Sequence, residues 1–251
     1  MDLDNDGDQD LIASGWSVIE NNLVTKVYQN EPLGTYVELS VDGLHAVAYG
    51  DIDAVDIDHD GDLDISISGV DSVSNFATRV HSLSGKVYKN EGSFNFTELL
   101  DIPGARILRF ADLNVDLKPD IISNGTTDLE DPQSSFTDVY LNDTNFSNSP
   151  PDAPTSLTSF AVSTRAIFTW GSGSDQIDSD ASLRYNVKIG TSSGGYDLLS
   201  PSFEYSSANI GQRLIKEFNQ IPHGTYYWSV QTIDGTGMTS AWSEEDTLFI
   251  S

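Results

Sequence analysis

A nine-residue acidic motif, repeated along the first half of the chain, constrains the fold more than any other feature. Asp2-Leu-Asp4-Asn-Asp6-Gly7-Asp8-Gln-Asp10 runs into Leu-Ile-Ala-Ser-Gly15, and Asp56-Ile-Asp58-His-Asp60-Gly61-Asp62-Leu-Asp64 runs into Ile-Ser-Ile-Ser-Gly69. A weaker copy, Asp112-Leu-Asn114-Val-Asp116-Leu-Lys118-Pro-Asp120, leads into Ile-Ile-Ser-Asn-Gly125. A second landmark keeps step with the first: Val27-Tyr-Gln-Asn30, Val87-Tyr-Lys-Asn90 and Val139-Tyr-Leu-Asn142. A period of roughly fifty residues, with several short β-rich runs in each unit, fits a propeller blade or a similar array. The stretches Ala46–Tyr49, Leu63–Ser68, Thr78–Val80, Lys86–Tyr88 and Phe94–Leu100 read as strands, and no helical period of useful length appears.

The loops themselves point to a metal ion. In Asp-x-Asp-x-Asp-Gly-x-x-Asp, the carboxylates at positions 1, 3 and 5 converge on one side of a tight turn. Gly at position 6 permits the positive φ that folds the loop. Position 7 offers its backbone carbonyl, and the Asp at position 9 closes the shell from the start of a strand. An all-oxygen cage of this kind suits Ca²⁺ better than Mg²⁺, which dehydrates reluctantly, or zinc, which wants nitrogen or sulfur. Without a cation, four or five carboxylates in nine residues repel one another. The expected ligands are Asp2, Asp4, Asp6, Asp8 and Asp10 in the first loop and Asp56, Asp58, Asp60, Asp62 and Asp64 in the second. In the third they are Asp112, Asn114, Asp116, Lys118 (through its carbonyl) and Asp120. That loop has Leu117 where the others have Gly and Asn114 where they have Asp, so it reads either as a weak site or as an empty structural turn.

These residues resemble the FG-GAP/VCBS repeats of integrin-α-like β-propellers over about residues 1–146. The resemblance implies four-stranded blades with Ca²⁺ in the loop after the innermost strand. Residues 51–55 depart from it by adding length and two acids before the second loop. Counting strands a to d in each blade gives three, four and three strands, too few to close a propeller. Further blades are therefore expected upstream in a longer chain. The opening Met-Asp-Leu-Asp shows no signal peptide, as a mature form or an excerpt would.

Beyond residues 149–154, read as a Pro-rich linker, residues 155–251 carry about seven short β-runs separated by turns, as in a β-sandwich. Tyr226, Trp228 and Val230 alternate onto one face after Pro222, and Trp170 falls in a core register. The pattern resembles a fibronectin type III domain with Tyr226 as its tyrosine corner. The expected fold is thus all-β: about three partial propeller blades in residues 1–148, then a fibronectin type III-like sandwich.

Composition bounds the function. With 39 acidic residues against 12 basic ones and a net charge of −27, nucleic acid and anionic membrane are poor partners. The absence of Cys excludes disulfides, Cys-zinc sites and a thiol nucleophile. No run approaches the ~20 apolar residues of a membrane helix. His45, His59, His81 and His223 are scattered, so no catalytic constellation is visible and His59 is expected to be exposed. Asp175, Asp178 and Asp180 read as a solvated turn, because no Gly shapes a cage there. Trp16 and Trp242 are candidate sugar-stacking platforms. The expectation is a secreted, non-catalytic bacterial surface protein in which structural Ca²⁺ supports adhesion or scaffolding toward a cell-surface protein or glycan. The rival reading is an accessory region, carbohydrate-binding or spacer, of a secreted polysaccharide-degrading enzyme.

Overall fold

The computed structural model describes residues 1–31, 34–73, 81–128, 131–203 and 205–251; the run expected at Thr78–Val80 lies outside them. The described residues are all-β, with one 3₁₀ turn at Pro132–Ser134 and no α-helix, and they divide into two compact units, Met1–Phe146 and Ser147–Ser251.

The first unit is three antiparallel sheets. β1 (Leu11–Ser17), β2 (Asn22–Glu31) and β3 (Thr35–Leu39) make the first. β4 (Ala48–Val55), β5 (Asp64–Val73), β6 (His81–Asn90) and β7 (Phe96–Pro103) make the second. β8 (Ala105–Ala111), β9 (Asp120–Thr126) and β10 (Ser135–Tyr140) make the third. Three, four and three strands is the count expected from the repeats, and none of the sheets closes on itself.

Within the second sheet, β5 is buried on both faces, for a reason written in its sequence. Its Ile65 and Ile67 join Leu3, Ile12, Val27, Val47 and Tyr88 in one apolar cluster. Its Ser66 and Ser68 face the other way and are equally buried. Small side chains there let the third sheet come close: Ser68 Oγ donates to the Arg106 carbonyl at 3.1 Å. Gly85, the cross-strand partner of Ser68, leaves so little room that a Cβ would lie 2.8 Å from Ala105 Cβ and Leu108 Cδ1. The extra acids at 51–55 belong to β4 and serve the same junction. Asp51 pairs with Arg109 of β8, and Asp53 Oδ2 accepts the Phe110 N–H at 3.2 Å.

The second unit is two three-stranded sheets around one core. β11 (Thr158–Val162), β12 (Arg165–Thr169) and β14 (Ile215–Phe218) form one; β13 (Arg184–Gly190), β15 (Gly224–Ile233) and β16 (Asp246–Ile250) form the other. Alternation along β15 buries Tyr226, Trp228 and Val230, and Trp228 meets Phe168 edge-on at 5.2 Å between ring centres. Tyr226 Oη donates to the Pro222 carbonyl at 2.9 Å, the geometry of a tyrosine corner. The Pro-rich segment is fastened to this unit: the Asp152 N–H bonds the Ser174 carbonyl at 2.8 Å, and Thr232 Oγ1 bonds the Asp152 carbonyl at 2.9 Å.

Candidate metal centres

The three acidic loops fold by one hydrogen-bond scheme. In the second loop, Asp64 stands at the start of β5, and its Oδ2 accepts the Ile57 N–H at 2.7 Å while Oδ1 accepts the Asn90 N–H of β6 at 2.8 Å. Asp56 accepts the N–H groups of Asp60 and Gly61 at 3.1 and 2.9 Å, and Asp60 Oδ1 accepts that of Asp62 at 3.0 Å. The first loop repeats this: Asp10 holds Leu3 and Asn30 at 2.8 and 3.0 Å, Asp2 holds Gly7 at 3.1 Å, and Asp6 holds Asp8 at 3.0 Å. So does the third: Asp120 holds Leu113 and Asn142 at 2.9 and 2.8 Å, Asp112 holds Asp116 and Leu117 at 3.2 and 3.0 Å, and Asp116 holds Lys118 at 3.2 Å. Positions 4 and 6 have positive φ throughout: Asn5 and Gly7, His59 and Gly61, Val115 and Leu117.

The recurring Tyr-x-Asn landmark turns out to tie each loop to the one before it. Asn90 Nδ2 donates to the carbonyls of Leu3 (2.8 Å) and Leu63 (3.2 Å); Asn142 Nδ2 donates to those of Ile57 (2.7 Å) and Pro119 (3.2 Å). The residue before each Asn approaches position 3 of its own loop where it can. Gln29 Nε2 reaches Asp4 Oδ2 at 2.7 Å, whereas Lys89 Nζ lies 2.5 Å from Asp58 Oδ2 and 3.1 Å from Asp60 Oδ2. Sequence reasoning missed this role of Lys89, because nothing in the loop motif itself points to the strand that carries it.

The ligand atoms converge in the first two loops. Asp2, Asp4 and Asp6 each bring a carboxylate oxygen within 4.8 Å of the others, and so do Asp56, Asp58 and Asp64. Oδ1 of Asp4 and of Asp58 is buried and accepts no hydrogen bond. Burial pushes Asp64 up to about 8, against the two N–H bonds that favour its charged form, and the charges of Asp56 and Asp58 add to the rise. Burial likewise raises Asp4, with Asp10 and Asp6 contributing, and raises Asp8, Asp10 and Asp62. The N–H donors to these carboxylates are neutral, and at the second loop Lys89 sets a single positive charge against five Asp residues, so the oxygens present fit a hard cation. Asp60 is turned toward Lys89 instead. In the third loop no trio of carboxylates converges among the described residues. There Asn114 Nδ2 donates to Asp116 Oδ2 at 3.0 Å, and the Lys118 ammonium bonds the Thr144 carbonyl.

Two expectations need correction. His59 is half-buried, edge-on to Phe146 at 5.2 Å between ring centres, rather than exposed. Asp178 is buried, at 5% exposure, rather than part of a solvated turn, and it meets Asp234 from a distant part of the sequence. Burial, then the charge of Asp234, pushes Asp178 up to about 7.

Residues 2–67 match the model of the FG-GAP-like repeat family, which spans the first acidic loop, the first sheet and the second loop. No curated protein matches the chain in sequence. Among solved structures the chain is similar to the extracellular domain of a one-component system from B. thetaiotaomicron, at 12% identity and a TM-score of 0.24, covering 96% of this chain and 36% of that one. The chain thus spans about a third of the length of that structure. Among the described residues, no helix is long and apolar enough to cross a membrane.

Proposed function

We propose that residues 1–146 are calcium-stabilised propeller blades and that the second unit is a fibronectin type III-like spacer. Together they serve outside the cell as a non-catalytic adhesion or scaffold module, on a bacterial surface, toward a protein or glycan ligand. One observation carries the reading: loops some fifty residues apart in sequence repeat a single carboxylate frame, and two of them converge three oxygens on one point. All-oxygen sites of this kind match extracellular Ca²⁺ modules, which bind at ~10⁻⁴–10⁻³ M. The ions are structural. They neutralise the loops that lead into β1 and β5 and leave ligand recognition to other surfaces.

Calorimetry with and without EDTA tests this. Calcium that binds only the folded state adds about 2.7 kcal/mol per loop at a hundredfold excess over Kd, so EDTA should lower the melting of the first unit by several degrees. Equal melting in calcium and in EDTA would overturn the reading. A second reading, a carbohydrate-binding accessory region of a secreted enzyme, is favoured by Trp16, which is partly exposed beside Asn21, Asn22, His45 and Asp71 around a shallow depression. Binding on a glycan array that Trp16→Ala abolishes would select it.

A further inference from the structure

Outside the repeats, the second unit gathers a third set of carboxylates. Asp175 lies between β12 and β13, in the turn that leads to Asp178; Asp234 follows the last residue of β15. Each contributes one oxygen, all within 4.8 Å of one another, which is twice a Ca–O bond of ~2.4 Å, so one ion can touch all three.

The three are held in place by neutral donors. Asp175 Oδ1 accepts the N–H groups of Ile177 and Asp178 at 2.9 and 3.1 Å. Asp178 Oδ1 accepts that of Gly235 at 3.1 Å. Asp234 accepts Thr236 Oγ1 and the Met238 N–H through Oδ1, at 2.9 and 2.8 Å, and Asn148 Nδ2 through Oδ2, at 3.0 Å. Asp178 is 5% exposed and Asp234 fully buried, yet Asp178 Oδ2 is sealed from solvent and accepts no hydrogen bond. An orphaned, buried carboxylate oxygen beside two further carboxylates is costly unless a cation meets it.

The nearby cation does not. Arg184 spends its guanidinium on the Ser206 carbonyl and hydroxyl and on the Asp234 backbone carbonyl, and among the described residues it forms no ion pair with any of the three carboxylates. Three carboxylates against one guanidinium leave two negative charges, the charge that one divalent ion cancels. All the donors are oxygens, which selects a hard ion over zinc.

We infer that Asp175, Asp178 and Asp234 bind a hard divalent cation of the calcium class, clamping the β12–β13 connection to the end of β15. The site is independent of the repeat loops, so its test is independent too. Bound calcium per chain is measured by equilibrium dialysis on the full chain, for the unsubstituted protein and for Asp175→Asn and Asp178→Asn, with circular dichroism to check folding. Each variant should bind one ion fewer per chain, whether or not the repeat loops bind, whereas Asp58→Asn should leave this ion in place. If Asp178→Asn fails to fold, Asp175→Asn, at the more exposed member, decides. Undiminished calcium in folded Asp175→Asn would overturn the inference.

Discussion

The loops at Asp56–Asp64 and Asp112–Asp120 follow one backbone path with different side chains on it. Both are closed by Asp at positions 1 and 9, whose carboxylates grip the same N–H groups at nearly the same distances. Only the former converges three carboxylates. The frame and the capacity for a cation are therefore separable: positions 1 and 9 fold both loops, and position 3, Asp58 in one and Asn114 in the other, decides whether a third carboxylate joins them. The frame is strong enough to keep Val115 and Leu117 at φ of 62° and 70°, where L residues other than Gly, Asn or Asp cost about 1–2 kcal/mol each. In the second loop a glycine occupies position 6 at φ 93° without that cost.

The sharpest way to break this comparison is to remove a ligand without touching the frame. Asp58→Asn should abolish calcium binding at the second loop and forfeit the whole ion-linked stabilisation, about 2.7 kcal/mol at a hundredfold excess. Asp4→Asn should do the same at the first loop. Asp116→Asn should leave calcium stoichiometry unchanged. Isothermal titration measures all three, and equal losses in the three variants would erase the distinction between loops.

A second test uses protons in place of calcium. In EDTA, the Asp64 carboxyl has its folded-state pKa raised from 3.8 to about 8, so between these values the folded chain binds more protons than the unfolded one. Stability then falls as pH rises through this window, with a slope of up to about 1.4 kcal/mol per pH unit from this group. With calcium present the ion takes the proton's place, and the slope should flatten or reverse. Urea denaturation at pH 5, 6 and 7 gives the slopes, and an EDTA-treated chain that gains stability with rising pH would contradict the burial of Asp64.

The frame was legible in the sequence because its residues lie within nine positions of one another. The Asp spacing foretold the convergence of Asp2, Asp4 and Asp6, and the Tyr-x-Asn landmark marked a position whose role only the fold displays. The rest depended on pairings between distant segments. Asp178 meets Asp234 because β13 pairs with β15, bringing Arg184 opposite Ile233, and no local pattern encodes that register. Alternation in Ile65-Ser-Ile-Ser68 reads as a strand with one wet face, yet both faces are buried, because serine and Gly85 admit a neighbouring sheet where a larger residue would keep it away.

The strain in the third loop offers a smaller effect of opposite sign. Leu117→Gly removes an unfavourable φ while adding entropy to the unfolded chain, which returns part of the gain. The net expectation is a stabilisation of about 0.5–1 kcal/mol in thermal melts. Combined with Asn114→Asp, it should also raise calcium binding at a loop in which no trio of carboxylates converges among the described residues. Destabilisation by Leu117→Gly would mean that the Leu117 side chain contributes packing greater than its backbone cost.

The smallest effect separates the two intact loops from each other. Where the first loop receives the neutral amide of Gln29, the second receives the Lys89 ammonium, which sits against Asp58 and Asp60 and draws the latter away from the converging set. The presence of both carboxylates raises the Lys89 pKa, so the ammonium stays charged at neutral pH and competes with any cation for the same oxygens. Partly exposed pairs of this kind are worth only about 0.2–1 kcal/mol, because solvent screens them. Lys89→Gln would give the second loop the companion the first already has. It should tighten calcium there by up to about fivefold, the upper end of that range converted to an affinity. The reverse change, Gln29→Lys, should weaken the first loop by a similar factor. Titration of each variant in a background where Asp4→Asn or Asp58→Asn silences the other loop reads the two factors separately. Unchanged affinity in Lys89→Gln would mean that the ammonium moves aside for the ion at no cost, and that the loops differ only in geometry.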